Sequence, residues 1–168
     1  MEIRLAGTVE DSIVDGPGLR FVVFVQGCPH HCDGCNNPET HDFSGGKLTD
    51  TDALYGQCME NPLCSGVTFS GGEPFCQPEP LYVLGERFKE AGKNLMCYSG
   101  WTFGELLKKS EHEEYTKKLL GILDILVDGR FDIAKRSLSL QFRGSTNQRL
   151  INVPESLKQG CAVEFETL

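Results

Sequence analysis

The chain has 168 residues, enough for about one domain with a real hydrophobic core but too few for a complete eight-fold α/β barrel, which needs about 250. Its 16 Lys plus Arg against 24 Asp plus Glu give a net charge of −8, which argues against a nucleic-acid partner because an acidic chain gains nothing from counterion release. No run approaches about 18 apolar residues and no apolar leader follows Met1, so no membrane span is expected, and the eight cysteines are expected in a reducing cytoplasm as metal ligands or buried thiols.

In chain order, the β-branched and aromatic run Leu19–Gln26 predicts a strand buried on both faces, entered from the turn Asp15-Gly16-Pro17-Gly18. A second strand is predicted at Gly66–Phe69, ending at Ser70-Gly71-Gly72. Leu81–Ala91 has helical spacing, with Gly92 as its cap. Asn94–Tyr98 predicts a third strand, stopping at Ser99-Gly100, and Phe103–Leu107 and Tyr115–Leu120 read as helices. Ile122–Val127 predicts a fourth strand before Asp128-Gly129, and further strands are expected at Gln148–Val153 and Ala162–Phe165. Strands alternating with helices imply βαβ units and a parallel sheet, with the glycine-bearing turns gathered at its carboxyl edge. The expected architecture is an α/β fold, an open and incomplete TIM-like barrel, in a single domain over residues 1–168.

The stretch Gly27–Pro38 places Cys28, Cys32 and Cys35 in a C-x3-C-x2-C array. Three thiolates so close can converge on one soft metal centre, one ligand short of a closed site, and the open position suits a reactive centre. A structural zinc site completed by His30 or His31 is the alternative that spacing alone leaves open.

Cysteines with this spacing after a buried strand resemble the signature of radical S-adenosylmethionine (radical SAM) enzymes. Ser70-Gly71-Gly72-Glu73-Pro74, about 35 residues on, resembles the second motif of that superfamily. Val14–Arg20, GCPHHCDGCNNPET and VTFSGGEP narrow the likeness to activating enzymes of glycyl radical enzymes. The turn Tyr98-Ser99-Gly100-Trp101, the stretch Ile125–Phe131 and the run Phe142–Arg149 narrow it to those acting on anaerobic ribonucleoside-triphosphate reductases. The likeness spans about residues 10–153. Many superfamily members carry an aromatic residue just before the third cysteine; Gly34 stands there instead, in keeping with the reductase subgroup.

The resemblance implies that Cys28, Cys32 and Cys35 hold a 4Fe-4S cluster whose fourth iron binds S-adenosylmethionine. It further implies that Gly34, Cys35 and Asn36 face the nucleoside and that Gly71, Gly72 and Glu73 face the methionyl end. One electron would cleave the sulfonium to a 5′-deoxyadenosyl radical, which would take the Cα hydrogen of a glycine in the reductase's glycyl radical subunit. A donor such as flavodoxin or ferredoxin would supply the electron, and no side-chain acid or base is required. A short barrel leaves its mouth open to a protein substrate.

Asp128 is read evenly as a cofactor contact or a turn former, and Arg143–Arg149 as a cofactor contact, a partner contact or a brace. Arg20 falls in the site-side half of the family pattern, with a surface ion pair as the plainer reading. Cys58, Cys64, Cys76, Cys97 and Cys161 are expected to be buried thiols, and Glu111–Glu114 a solvated helix start. The alternatives are activation of another glycyl radical enzyme of the pyruvate formate-lyase type, a small-molecule radical SAM reaction such as carboxydeazaguanine synthesis, or a non-catalytic metal-binding module.

Overall fold

The apolar run after the first glycine turn forms strand β2 (Arg20–Val25), and side chains alternate across it because successive residues in a strand point to opposite faces. Phe21, Val23 and Val25 enter the main core, while Arg20, Val22 and Phe24 occupy the other face. The same alternation continues in β4 (Gly66–Gly71), β5 (Asn94–Tyr98), β6 (Ile125–Asp128) and β7 (Arg149–Asn152). Val67, Phe69, Leu95, Cys97, Leu126 and Ile151 join the main core, and Met96, Ile125, Val127 and Leu150 form a smaller cluster behind the sheet. The computed structural model describes residues 1–168.

With β1 (Glu2–Ser12) and β3 (Lys47–Asp50), these strands make one seven-stranded sheet in the order β3-β1-β2-β4-β5-β6-β7. The four central strands, β2, β4, β5 and β6, run parallel. The connections between them carry α1 (Thr51–Met59), α2 (Pro78–Glu90), and then α3 (Phe103–Ser110) with α4 (Glu114–Ile122). Strand order advances in one direction, so right-handed crossovers place every helix on the same face. The opposite face is the inner wall of an α/β barrel left open, with β3 and β7 at its two unjoined sides. No helix is long and apolar enough to cross a membrane.

The flanks differ from the sequence expectation. β1 pairs antiparallel with β2 and β3, and β7 antiparallel with β6, so the sheet is mixed. β1 escapes pattern recognition because irregularities between Leu5 and Gly7 and between Val9 and Ser12 interrupt its alternation. α1 escapes because only Thr51, Leu54 and Cys58 are buried along it. Ile122 closes α4 rather than opening β6. Val153 and Pro154 begin α5 (Val153–Gln159), and the expected strand at Ala162–Phe165 contributes a single bridge, Ile151 to Glu164.

Arg20 is the largest correction. It lies at the amino edge of the parallel strands, opposite the cysteine loop, and is 1% exposed with no acidic partner. Its guanidinium donates to Thr68 Oγ1 at 2.8 Å and to the carbonyls of Val67, Pro17 and Asn94 at 2.9, 3.0 and 3.2 Å. Burial lowers its pKa to about 10, so it remains a cation at neutral pH. Rigid donors in a fixed fork suit such a bundle of carbonyl acceptors. Arg20→Ala strips these acceptors and leaves a cavity, at a cost of about 3 kcal/mol. A urea titration should show a correspondingly earlier midpoint; an unchanged midpoint would remove Arg20 as the anchor of this edge.

Candidate active site

The chain leaves the carboxyl edge of β2 into the cysteine loop. Gly27 N–H donates to the Thr40 carbonyl at 2.7 Å and Cys28 N–H to the His41 carbonyl at 3.2 Å, which fixes both ends of the loop's base. Within it, Cys35 N–H donates to the Cys32 carbonyl at 3.1 Å, and His31 and Gly34 both take left-handed backbone conformations. Gly34 meets that demand without strain. Cys28 is buried, and Cys32 and Cys35 are partly so.

The three thiols line one cavity of about 110 Å³, closed by Gly71 and Gly72 from the next strand, Ser99 and Gly100 from the one after, and His41. Burial raises the Cys28 and Cys32 thiols above the ordinary thiol range. Peptide N–H groups of His30 and His31 work against this at Cys28, and that of Phe131 at Cys32. A metal centre bound here would displace thiol protons, since the thiolate is the ligating form. His41 Nε2 is buried and has no hydrogen-bond partner in the chain. An orphaned nitrogen beside three convergent thiols fits a site built around an inorganic core with acceptor atoms of its own.

A second cavity of about 470 Å³ adjoins the first and shares Cys35, Gly71, Tyr98, Phe131 and Gln148 with it. Its volume lies within the range of small-molecule sites. Asn36, Phe24, Ser70 and Phe142 complete much of its wall. Of the residues assigned from sequence, Cys35, Asn36 and Gly71 face this larger space, Gly72 faces the thiol cavity, and Gly34 backs onto Ile133 and Phe131.

Glu73 faces neither cavity. It is 1% exposed, and both carboxylate oxygens are engaged by donors from three loops. Oε1 accepts Phe75 N–H at 3.0 Å and Ser99 Oγ–H at 2.9 Å; Oε2 accepts Gly100 N–H at 2.8 Å and His30 Nε2–H at 2.7 Å. An ionised carboxylate only accepts, so this pairing calls for the His30 tautomer with its proton on Nε2. Glu73 thus ties the cysteine loop to the turns after β4 and β5. His30, whose ring also packs edge-on to Trp101 at 4.7 Å, enters the sequence analysis only as a possible zinc ligand, and its role here is a different one. Its place between two ligand candidates concealed a positioning role.

Asp128 is also fully buried. It accepts Phe103 N–H at 2.8 Å, at the start of α3, and pairs with Arg149 at 3.0 and 2.5 Å, which raises the Arg149 pKa. It braces β6, β7 and α3. The run Arg143–Arg149 divides accordingly: Arg143 and Gln148 line the large cavity, Ser145 is buried and its hydroxyl accepts Asp132 N–H at 3.2 Å, and Arg149 braces the last strand. Residues 135–146 fold back on themselves, with Ser137 N–H donating to Gly144 O at 3.1 Å and Thr146 N–H to Lys135 O at 2.9 Å. Tyr98 O–H donates to the Phe142 carbonyl at 2.7 Å and holds this flap over the cavity.

A family model described as a 4Fe-4S single cluster domain matches residues 14–151. The anaerobic ribonucleoside-triphosphate reductase-activating protein of Vibrio cholerae is 32% identical over 150 residues, covering 81% of this chain and 89% of its own. That of Pasteurella multocida is 33% identical over 146 residues, with the same coverage. The chain belongs to this family of 4Fe-4S activating proteins. A pyruvate formate-lyase-activating enzyme of Clostridium pasteurianum is 41% identical over 108 residues, 59% of this chain and 45% of its own. The solved structure of QueE from Escherichia coli aligns with a TM-score of 0.49 at 15% identity, over 60% of this chain and 54% of that one.

For this activating protein, the shape of the thiol cavity depends on close backbone approach. A Cβ on Gly72 would sit 2.3 Å from the Gly27 carbonyl oxygen, so Gly72→Ala must push the turn away from the cysteine loop, at a cost of about 1–3 kcal/mol. The variant should lose most of its iron on anaerobic reconstitution while keeping its far-ultraviolet dichroism; full iron content would show that the turn does not shape the cradle. Glu73→Gln places an amide donor against donors and should lower stability by about 2–4 kcal/mol in denaturant. An unchanged midpoint would remove the carboxylate as the brace.

Proposed function

We propose that Cys28, Cys32 and Cys35 hold the 4Fe-4S cluster of this chain, with S-adenosylmethionine filling the larger cavity beside it, and that the protein generates the glycyl radical of an anaerobic ribonucleoside-triphosphate reductase. The observation that carries this reading is the shared wall: Cys35 borders both the thiol cavity and the larger one, so a cluster held by the thiols would adjoin the space for its ligand.

When bound, the cluster and S-adenosylmethionine supply a one-electron reductive cleavage and, with it, a carbon radical able to take a Cα hydrogen from glycine. The chain's own residues position and shield. Gly71 and Asn36 would border the ligand, and Tyr98, Phe131 and Phe142 would offer it an apolar wall. The buried Glu73 fixes the loops that frame both cavities. The unjoined sides of the sheet leave room for a glycine-bearing segment of the reductase to enter from solvent. An electron donor of the flavodoxin or ferredoxin type would reduce the cluster. The eight unpaired cysteines accord with a reducing cytoplasm, and the charge of −8 accords with a protein rather than a nucleic-acid partner.

Reduction of the anaerobically reconstituted protein with S-adenosylmethionine should yield methionine and 5′-deoxyadenosine, and Cys32→Ala should abolish both along with the iron. Mixing with the reductase should produce an organic radical signal whose main splitting collapses when glycine Cα is deuterated. A signal on pyruvate formate-lyase and none on the reductase would reassign the substrate. Product formation by Cys32→Ala would reassign the ligands.

A further inference from the structure

Two cysteines that the radical chemistry does not use lie together at the opposite edge of the sheet. Cys58 is in the last turn of α1 and Cys64 precedes β4, with their sulfurs 3.8 Å apart. They are 2% and 5% exposed. Cys64 Sγ–H donates to the Gly66 carbonyl at 3.2 Å, at the amino end of β4. The cysteine loop lies beyond the carboxyl end, on the order of 17 Å away along the strand.

The chain between them is already folded back. Asn61 N–H donates to the Cys58 carbonyl at 3.4 Å, Cys64 N–H to the Asn61 carbonyl at 3.2 Å, and Leu63 N–H to Asn61 Oδ1 at 2.9 Å. A cavity of about 350 Å³ opens on both cysteines, walled in part by Phe21, Gln57 and Asn61, and gives a small reagent a way in. The sulfurs need approach only from 3.8 Å to the roughly 2.05 Å of a disulfide bond.

We propose that Cys58 and Cys64 form a redox-active dithiol that closes reversibly into an intramolecular disulfide by exchange with a small dialkyl disulfide. One thiolate of the pair attacks a sulfur of the reagent, which leaves as a thiol carrying a proton. The second cysteine then attacks the mixed disulfide and releases a second thiol. The reagent's S–S bond breaks as the protein's forms; the pair loses two electrons and two protons, and the reagent gains them. Burial and the neighbouring Cys64 push the Cys58 thiol up to about 12, so exchange is slow at neutral pH and quickens in alkali. Lys93, whose ammonium donates to the Cys64 carbonyl, opposes that rise. Closure staples α1 to β4 at a place that spares the cluster ligands, and in a reducing compartment such pairs act as sensors rather than permanent bonds. The inference does not depend on the substrate of the radical chemistry.

The test equilibrates anaerobic, cluster-loaded protein in graded mixtures of mercaptoethanol and hydroxyethyl disulfide, followed by acid quench, alkylation and peptide mapping. Cys58 and Cys64 should lose their label together at one midpoint, with a cross-linked peptide lighter by two hydrogens and with cluster absorption retained. Loss of label at one of them alone, a persistent reagent adduct, or full labelling in the most oxidising mixture would overturn the proposal. Cys58→Ser should abolish the cross-link and leave Cys64 as a reagent adduct, and Cys64→Ala serves as the reciprocal variant. A cross-link from Cys64 to any other cysteine in Cys58→Ser would also overturn it.

Discussion

The buried carboxylate of Glu73 is the constraint on which the site depends. A charge this deep is tolerable only when every lone pair is met, and here four donors from three separate loops meet it. Those loops follow three neighbouring parallel strands, so the carboxylate turns a local need for solvation into a long-range registration of the carboxyl edge. The cysteine loop has little regular secondary structure of its own. Its shape is borrowed from this ion, from the glycine approach at Gly72, and from the backbone hydrogen bonds to the Thr40 and His41 carbonyls.

The same logic operates in reverse at the amino edge, where Arg20 is a buried cation held by carbonyls and a hydroxyl. An acid at one end of the sheet and a base at the other, each satisfied by uncharged partners apart from a histidine, pin the two margins separately. Between them the sheet divides its labour by face. The helical face carries most of the apolar core, while the inner face carries the smaller cluster around Met96 and, toward its carboxyl edge, presents Phe24, Ser70 and Tyr98 to the large cavity.

Much of this was legible in the residues because it is local. The runs at Leu19–Gln26 and Asn94–Tyr98 encode strands through side-chain shape, and three cysteines in eight residues encode a loop whose thiols share one cavity. The two-glycine turn after β4 likewise announces close backbone approach. What stayed hidden is what requires a partner distant in sequence. Glu73 looks like a ligand until His30, Ser99 and Gly100 are brought to it from 43, 26 and 27 residues away. Arg20 looks like a surface cation until Val67 and Asn94 supply its carbonyls. The irregular β1 and the weakly amphipathic α1 carry patterns too faint to read, since tertiary pairing and not periodicity stabilises them.

The unjoined sides of the sheet carry a hazard that the fold answers locally. Exposed strand margins recruit other strands and seed aggregation. On one side β3 is only four residues long and is flanked by Lys47 and Asp50, too short and too charged to template a neighbour. On the other, the chain after α5 returns alongside β7, where Asn152 N–H of β7 donates to the Val163 carbonyl at 2.8 Å and Phe165 N–H donates to the Leu150 carbonyl of β7 at 2.9 Å. The molecule can therefore keep its mouth open to another protein without its flanks becoming adhesive to copies of itself.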